Sequence, residues 1–581
     1  MDGDQISGLL RGLSAAQRQA VSSDAGRLCV MAGAGSGKTT VLTRRVARRL
    51  FDGSADATHS LVLTFTRKAS RELRDRLWHL DTPGRVWAGT FHAAAYGQLR
   101  RAWSDSGRRP PALVDDPRRL LRRSIPDADT LPSDTVRAVL AEIQWAQARL
   151  VTPDSYPGAA VSAGRRPPLS PEETAQAYRR YEDAKQTHGL IDLNDLLGRC
   201  ADLIETDTAV AAATRWRIRH LYVDEFQDVN PLQWRLLTAW MGEQTDLFVV
   251  GDPRQAVYGW NGADPTLLDR LPALLPGTTV LRLDANHRST PQVIAAARAV
   301  LDTPGPASSV AGSDLVCSGE RPDGPVPEVR GFDDDSEEAN AVARWLRQMH
   351  RPGRPWSQLA VLARTNARLT PIAAALDRHG IPCRTGPARV GAEMAEIIAV
   401  LRADRPGRAL RSALADLSIA GIPPVLARLA DEHAAEDPGS TVGGFLSWFT
   451  ATVADATTSE SEPTADAVAL STFHRAKGLE WPAVALVGLE DGLVPISYAT
   501  TTAARSEERR LLYVAVTRAE EQLWCSWAGQ RQGADRTWSC RPSPFLAGIE
   551  ATVGRRAPND PETFAAQMAA LRHMLPAAVT A

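Results

Sequence analysis

RLCVMAGAGSGKTTVLTRRVARRL, residues 27–50, is the stretch that decides the fold. RLCVMA (27–32) reads as a buried strand, AGAGSGKTT (32–40) as a loop, and VLTRRVARRL (41–50) as a helix with apolar positions every three to four residues. Strand, glycine-rich loop and helix in that order bring backbone amides together around a phosphate. Gly33, Gly35 and Gly37 let the loop turn its N–H groups inward, with Ala32, Ala34 and Ser36 completing the curve. Lys38 is expected to reach the β- and γ-phosphates of ATP, and the Thr39 hydroxyl to bind Mg²⁺ at the helix N-terminus, with Thr40 next in the first turn. Ala32 stands where the commonest form of this loop begins with glycine.

Outward from that stretch, short apolar runs recur, each ending in polar residues or glycine. They are SLVLTFT (60–66), HLYVDE (220–225), DLFVVGD (246–252) and TVLRLD (279–284), with helical patterns between most of them. The alternation predicts a parallel α/β sheet, whose ligands lie beyond the carboxyl ends of the strands. A second series, QLAVLAR (358–364), AVALSTF (467–473), AVALVGL (483–489) and QLWCSWA (522–528), predicts a second sheet and therefore a second lobe. Strand signals vanish between 102 and 188, where DTVRAVLAEIQWAQARL (134–150) has helical periodicity. The expected organisation is a first lobe at 1–101 and 189–285, interrupted by a helical insertion at 102–188. A second lobe follows at 286–402 and 466–550, interrupted by a reduced insertion at 403–465, with a tail at 551–581. The Pro-, Gly- and Ser-rich stretch 302–328 reads as a surface excursion.

At 581 residues the chain exceeds what one core supports, and 44% hydrophobic with 23% charged residues is a globular balance. The start MDGDQISGLL has no basic or apolar signal region, and no apolar run reaches the 18 residues of a membrane span, so a cytoplasmic protein without membrane association is expected. The closest of the six cysteines are 15 residues apart, which disfavours zinc sites and disulfide scaffolds. Only Lys38, Lys68, Lys185 and Lys477 are lysine; the other 63 of 67 basic residues are arginine. In so arginine-biased a chain, lysine should persist where a compact ammonium is hard to replace.

VDEFQD (223–228) ends an apolar strand with adjacent carboxylates. Such a pair is more often a solvated turn, but an upstream phosphate loop reverses the odds. Asp224 then suits Mg²⁺, and Glu225 suits orienting and deprotonating the attacking water. Strand-end aromatics, hydroxyls and imidazoles recur as well: Phe65 and Thr66, Thr90 and His92, Tyr258 and Trp260, and His474. Taken singly each aromatic is more often core. Together they suit a single nucleic-acid strand, because base–aromatic stacking tolerates any sequence.

The run of motifs resembles the UvrD/Rep/PcrA branch of superfamily 1 DNA helicases from residue 13 to about 550. The segments that carry the resemblance are LSAAQRQAV (13–21), AGAGSGKTT (32–40), LTFTRKASRELRDRL (63–77), GTFH (89–92), IDLNDLL (191–197), VDEFQDVNPLQ (223–233), VVGDPRQAVYGWNGAD (249–264), LDANHRST (283–290), LSTFHRAKGLEW (470–481) and EERRLLYVAVTRA (507–519). Within that branch the chain resembles actinobacterial forms with a reduced second insertion. The resemblance implies two RecA-like P-loop NTPase lobes that close on ATP and step 3′ to 5′ along single-stranded DNA, engage 3′-tailed duplex, and serve repair or recombination with a protein partner. It also implies that Gln17 reads adenine, Gln255 senses the γ-phosphate, Glu480 lies near the ribose, and Arg288 and Arg518 act as arginine fingers. Phe65, Tyr258 and Trp260 become base pockets, and Arg364 and His474 become strand contacts.

The chain departs from that pattern in four places. Asn261 replaces an arginine, Thr40 and His287 replace the arginine and tyrosine that usually sandwich the base, and 403–465 is short. Looser base selectivity, and single-strand stepping better than duplex unwinding, are therefore expected. The competing readings are a nucleotide-dependent recruitment switch with little unwinding activity, and the motor subunit of a recombination complex.

Overall fold

The computed structural model describes residues 3–114, 116–125, 131–244, 246–302, 318–319, 321–385, 392–405, 408–417, 430, 441–453, 466–532 and 537–553. They fall into two compact units, residues 1–284 with 387–461, and residues 285–386 with 462–581.

The first unit is built on a six-stranded parallel sheet: β1 (Arg27–Ala32), β2 (Ser60–Thr64), β3 (Trp87–Thr90), β4 (His220–Val223), β5 (Leu247–Gly251) and β6 (Thr279–Leu283). Its spatial order is β3-β2-β4-β5-β1-β6. The central strands are apolar almost throughout because helices cover both faces of a parallel sheet. On one face Leu28, Val30, Val62, Tyr222, Phe248 and Val250 pack with Val41, Leu42 and Val46 of helix α1 (Lys38–Phe51). Strand β3 was not foreseen; WAGT is too short and too poor in apolar residues to stand out.

Within 102–188, where a helical insertion was expected, the described residues are mostly helical, although helix Phe91–Asp105 runs across the expected 101/102 boundary and Ala112–Leu113 pairs with Leu190–Ile191. Helices Pro117–Ser124, Ser133–Ala148, Tyr156–Ser162 and Pro171–Thr187 enclose a core of their own, with Leu121, Ile143, Trp145, Tyr156, Tyr178 and Tyr181 among its members. The last helix starts sharply. Pro171 occupies its first turn, and Ser170 and Glu173 exchange side-chain-to-backbone hydrogen bonds.

The second unit carries a seven-stranded sheet: β7 (Glu328–Asp334), β8 (Leu359–Ala363), β9 (Cys383–Thr385), β10 (Val468–Thr472), β11 (Trp481–Val487), β12 (Ala519–Gln532) and β13 (Thr537–Ser539). The order is β7-β12-β11-β8-β10-β9, all parallel, with β13 antiparallel to β12 at one end of the latter. Val361, Leu470, Ala485 and Trp524 pack with Val342, Trp345 and Leu346 of helix Asp335–Met349, the rings of Trp345 and Trp524 stacking at 6.1 Å. Strand β7 was missed because EVRGFDD is polar and lies on the sheet edge.

Helix Ala392–Ala403 lies on the second-lobe side of the boundary expected at 402/403, yet by packing it belongs to the first unit, where it touches helix Val442–Val453. Most of the proposed excursion 302–328 before residue 321, much of 403–465, and the tail from residue 554 lie outside the described residues. Among the described residues no helix is long and apolar enough to cross a membrane.

Candidate nucleotide site and strand-binding edge

At the carboxyl edge of the first sheet, β1 leads into the phosphate loop. Gly35 (φ +69°) and Gly37 (φ +79°) occupy the left-handed region that the curve requires, Gly37 as the N-cap of α1. A Cβ at Gly37 would also lie 2.7 Å from Gln17 Nε2. Gln17 is buried, accepts from the Ser14 amide at 2.9 Å and donates to the Ser36 carbonyl at 2.8 Å. Its amide thus braces the loop against the preceding helix, a supporting task that the expected adenine contact did not include. Ser36 Oγ closes the turn by donating to the Gly33 carbonyl at 2.8 Å.

Strand β4 delivers Asp224 and Glu225 beside that loop. Thr39 Oγ1 donates to Asp224 Oδ2 at 3.3 Å, across 185 residues of sequence. Burial, and next the charge of Glu225, push the Asp224 carboxyl up to about 7, against the pull of Lys38. A divalent cation held by Thr39 Oγ1 and Asp224 would offset that cost, and a Mg²⁺ that takes its other ligands from phosphate and water suits so small a protein set. Glu225 has φ +50° and ψ +40°, a left-handed conformation that costs a non-glycine residue of order 1–3 kcal/mol. Asp224 Oδ1 accepts the Glu225 amide at 2.9 Å.

Strand β5, next to β4, ends in the turn that carries Gln255. Asp252 caps this turn, accepting from the Arg254 amide at 3.1 Å and from Gln255 Nε2 at 2.7 Å. Gln227, on which no role was placed from sequence, links the two strand ends. Its partners are separated in sequence and meet only because β4 and β5 are neighbours.

Around the base, Thr40 was expected to leave the nucleotide without a guanidinium. A guanidinium does approach Thr40 from elsewhere in the same unit. Arg76, from helix α2 (Arg67–Trp78), places Nη1 3.5 Å from Thr40 Oγ1, while Nη2 pairs with Glu72. The two residues are 36 apart in sequence.

The same sheet edge carries the first-unit strand residues. Thr66 and Thr90 follow β2 and end β3, and each caps a helix, accepting from the amides of Ala69 and Ala93. Both are hydroxyls at helix N-termini, a setting that favours phosphate. Phe65 lies 5.8 Å from Phe91, and His92 is in the first turn of helix Phe91–Asp105. Beyond β5, Tyr258 and Trp260 are 6.5 Å apart, and Trp260 is half exposed. Burial, with the charges of Asp228 and Glu225, holds the Tyr258 phenol above its ordinary range, so Tyr258 and Glu225 are within electrostatic reach of each other. Asn261 shares the short turn Gly259–Asn261 with Trp260, whose carbonyl lies 3.5 Å from Arg165 of the helical insertion.

In the second unit, Arg364 follows β8 and His474 follows β10, two adjacent strands. Arg364 is engaged by Glu508, donating through Nε at 3.0 Å and Nη2 at 2.7 Å. Burial, Arg364 and Lys477 push His474 down to about 3, so its imidazole is neutral. Arg288 pairs with Glu480 at 2.5 Å. Arg518 gives Nε to the Val514 carbonyl, Nη1 to the Leu479 carbonyl and Nη2 to Thr517 Oγ1, so it also ties its own unit together. His287 lies between β6 and helix Pro291–Asp302, next to Arg288.

Two family matches cover most of the chain. The UvrD/REP helicase N-terminal domain matches residues 13–274, and the UvrD-like helicase C-terminal domain matches 281–402 and 429–530. The ATP-dependent DNA helicase UvrD2 of Mycobacterium tuberculosis is 39% identical over 93% of this chain and 82% of its own length. The chain belongs to the UvrD/REP helicase family. More distant relatives of this UvrD-like helicase include DNA helicase II of Escherichia coli, 27% identical over 94% of this chain and 88% of its own, and the ATP-dependent DNA helicase PcrA of Bacillus subtilis, 28% identical over 93% and 86%. The resemblance read from the motifs is thus family membership, and a nucleotide-dependent recruitment switch with little unwinding activity is not the favoured reading.

Proposed function

We propose that this UvrD-like helicase hydrolyses ATP with Mg²⁺ and uses the cycle to move 3′ to 5′ along single-stranded DNA, opening 3′-tailed duplex. The observation that carries the reading is the meeting of Thr39 and Asp224 at 3.3 Å, beside a Glu225 held in a strained turn, on the edge that also presents Phe65, Thr66, Thr90, Tyr258 and Trp260. Its relatives' names, ATP-dependent DNA helicases, support the same reading.

In this mechanism the loop amides and Lys38 bind the β- and γ-phosphates. Thr39 and Asp224 would hold Mg²⁺, which when bound neutralises charge on the phosphate oxygens. Glu225 orients the attacking water and takes its proton, while Gln255 contacts the γ-phosphate. Arg288 and Arg518 are assigned to transition-state charge by their motif positions; an arginine in that role contributes about 10³–10⁵ in kcat. The aromatic edge grips bases by stacking, and the threonine hydroxyls with their helix amides grip phosphates. A cytoplasmic setting in repair or recombination, with a protein partner, follows from the same family reading.

The test is ATP turnover with and without single-stranded DNA, paired with strand displacement on 3′- and 5′-tailed duplexes. DNA-stimulated turnover with displacement from the 3′ tail is expected. DNA-insensitive turnover, or preference for the 5′ tail, overturns the reading.

A further inference from the structure

Gln227 is fully buried between two strand ends. Its Oε1 accepts the Asp252 backbone amide at 2.8 Å, and its Nε2 donates to Glu225 Oε2 at 2.5 Å. The orientation of the carboxamide is forced, because a backbone N–H can only donate and an ionised carboxylate can only accept. Asp252, itself fully buried, accepts Gln255 Nε2 at 2.7 Å through Oδ2. A continuous chain therefore runs from Gln255 through Asp252 and Gln227 to the Glu225 carboxylate. The space around it is tight. Gly251 precedes Asp252, and a Cβ there would lie 2.6 Å from Gln227 Oε1 and 2.9 Å from Leu268 Cδ2. A glycine at 251 is what lets the carboxamide reach across.

We propose that Gln227 is a positioning residue for hydrolysis: it fixes the Glu225 carboxylate relative to the Gln255 turn, so that contact of Gln255 with the γ-phosphate and aim of Glu225 at the water are set together. The inference rests on the proposed roles of Glu225 and Gln255. Three features favour it over packing alone. The hydrogen bond to Glu225 is charge-assisted. Glu225 has a left-handed backbone that needs external support. And each polar end of Gln227 meets a group of one of the two motifs.

The test uses the full chain with saturating single-stranded DNA. Gln227→Met keeps length and volume and removes both polar ends. Gln227→Glu keeps the acceptor for the Asp252 amide and removes the donor to Glu225. Gly251→Ala deletes no polar group but displaces the carboxamide. Each is expected to lower kcat at least about tenfold, since a misplacement of about 1 Å can cost roughly 10²-fold. Affinity for a fluorescent ATP analogue should stay within about threefold, because Lys38 and the loop amides are untouched. The Gln227→Met, Gly251→Ala double variant should be no slower than the slower single, the non-additivity of two changes on one contact. Folded variants with kcat within twofold of the parent overturn the proposal. So does a kcat loss matched by lost nucleotide affinity or by a lowered unfolding midpoint in all three, which would make Gln227 a packing residue. Absence of DNA-stimulated ATP turnover in the parent chain would instead refute the proposed function.

Discussion

At the carboxyl edge of the first sheet, Asp224 and Glu225 stand side by side with Lys38 within electrostatic reach; in the same unit, Glu182, Asp192 and Asp195 surround Lys185. Both clusters set carboxylates against one of the chain's four ammonium groups, yet they end in different states. Lys185 Nζ lies 2.7 Å from Asp192, 2.7 Å from Asp195 and 3.0 Å from Glu182, and Gln147 Nε2 donates to Glu182 and Asp192 at 2.8 and 2.9 Å. Burial works against that ammonium, but the three carboxylates outweigh it and hold it charged. Asp192 and Asp195 are also locked by the capping box of helix Leu193–Thr206. At the strand end, Asp224 is raised to about 7 and Glu225 sits in a strained turn. Geometry, more than composition, separates them. Lys185 is held by three carboxylates within 3.0 Å, although burial raises Glu182 and Asp195 there too, and the cluster is a brace; Asp224 lies beside Thr39 at the phosphate loop, where a bound cation would offset the cost of its burial.

The largest expected effect, and the most direct way to break this contrast, is Lys38→Ala, which should reduce ATP turnover to background by removing the phosphate contact. Turnover near that of the parent chain would move the nucleotide elsewhere. Glu225→Gln should keep ATP binding and slow turnover by roughly 10²–10⁴, the range for a lost general base. A rate close to the parent's in single-turnover assays would mean the catalytic carboxylate lies at another position.

Lys185→Met should leave the catalytic groups intact and destabilise the fold by about 3–5 kcal/mol, because it strands buried carboxylates without their cation. Denaturant unfolding reads this directly; an unchanged midpoint would show that the cluster does not brace the insertion. A smaller effect concerns His474. Its folded pKa of about 3 lies below the roughly 6.5 of an unfolded chain. As pH falls below about 6.5 the unfolded state takes up a proton that the folded state refuses, so stability should decline from there toward pH 3, with the full contribution present above 6.5. His474→Asn should flatten that part of the profile by one proton. Parallel profiles for parent and variant between pH 7 and 5 would remove the assignment.

The lysine bias sharpened the reading of three motifs, and Lys185 extends it to a buried brace. Its partners could not be named from sequence. Asp192 and Asp195 read as part of a motif, and only the reversal of the chain between helix Pro171–Thr187 and helix Leu193–Thr206 brings them to the ammonium. Arg76 escaped notice for the same reason, since it approaches Thr40 from a separate helix. Arg364 and Arg518 were legible as motif positions, but their engagement with Glu508 and with the Val514 and Leu479 carbonyls was not.

By itself the sequence determined the local elements: the core of nearly every central strand, the phosphate loop with its glycines, and the acidic pair at the end of β4. These follow from short-range physics, from apolar runs that must be buried, from φ values that only glycine adopts at low cost, and from charge at a strand end. The tertiary structure alone decided strand order. Because β4 lies beside β5, Gln227 can join Glu225 to Asp252, and because β1 lies on the other side of β5, Asp224 can reach Thr39. Those contacts span 25 and 185 residues. Hydrogen bonds act over about 3 Å, so residues that far apart in sequence interact only after the sheet has closed the distance.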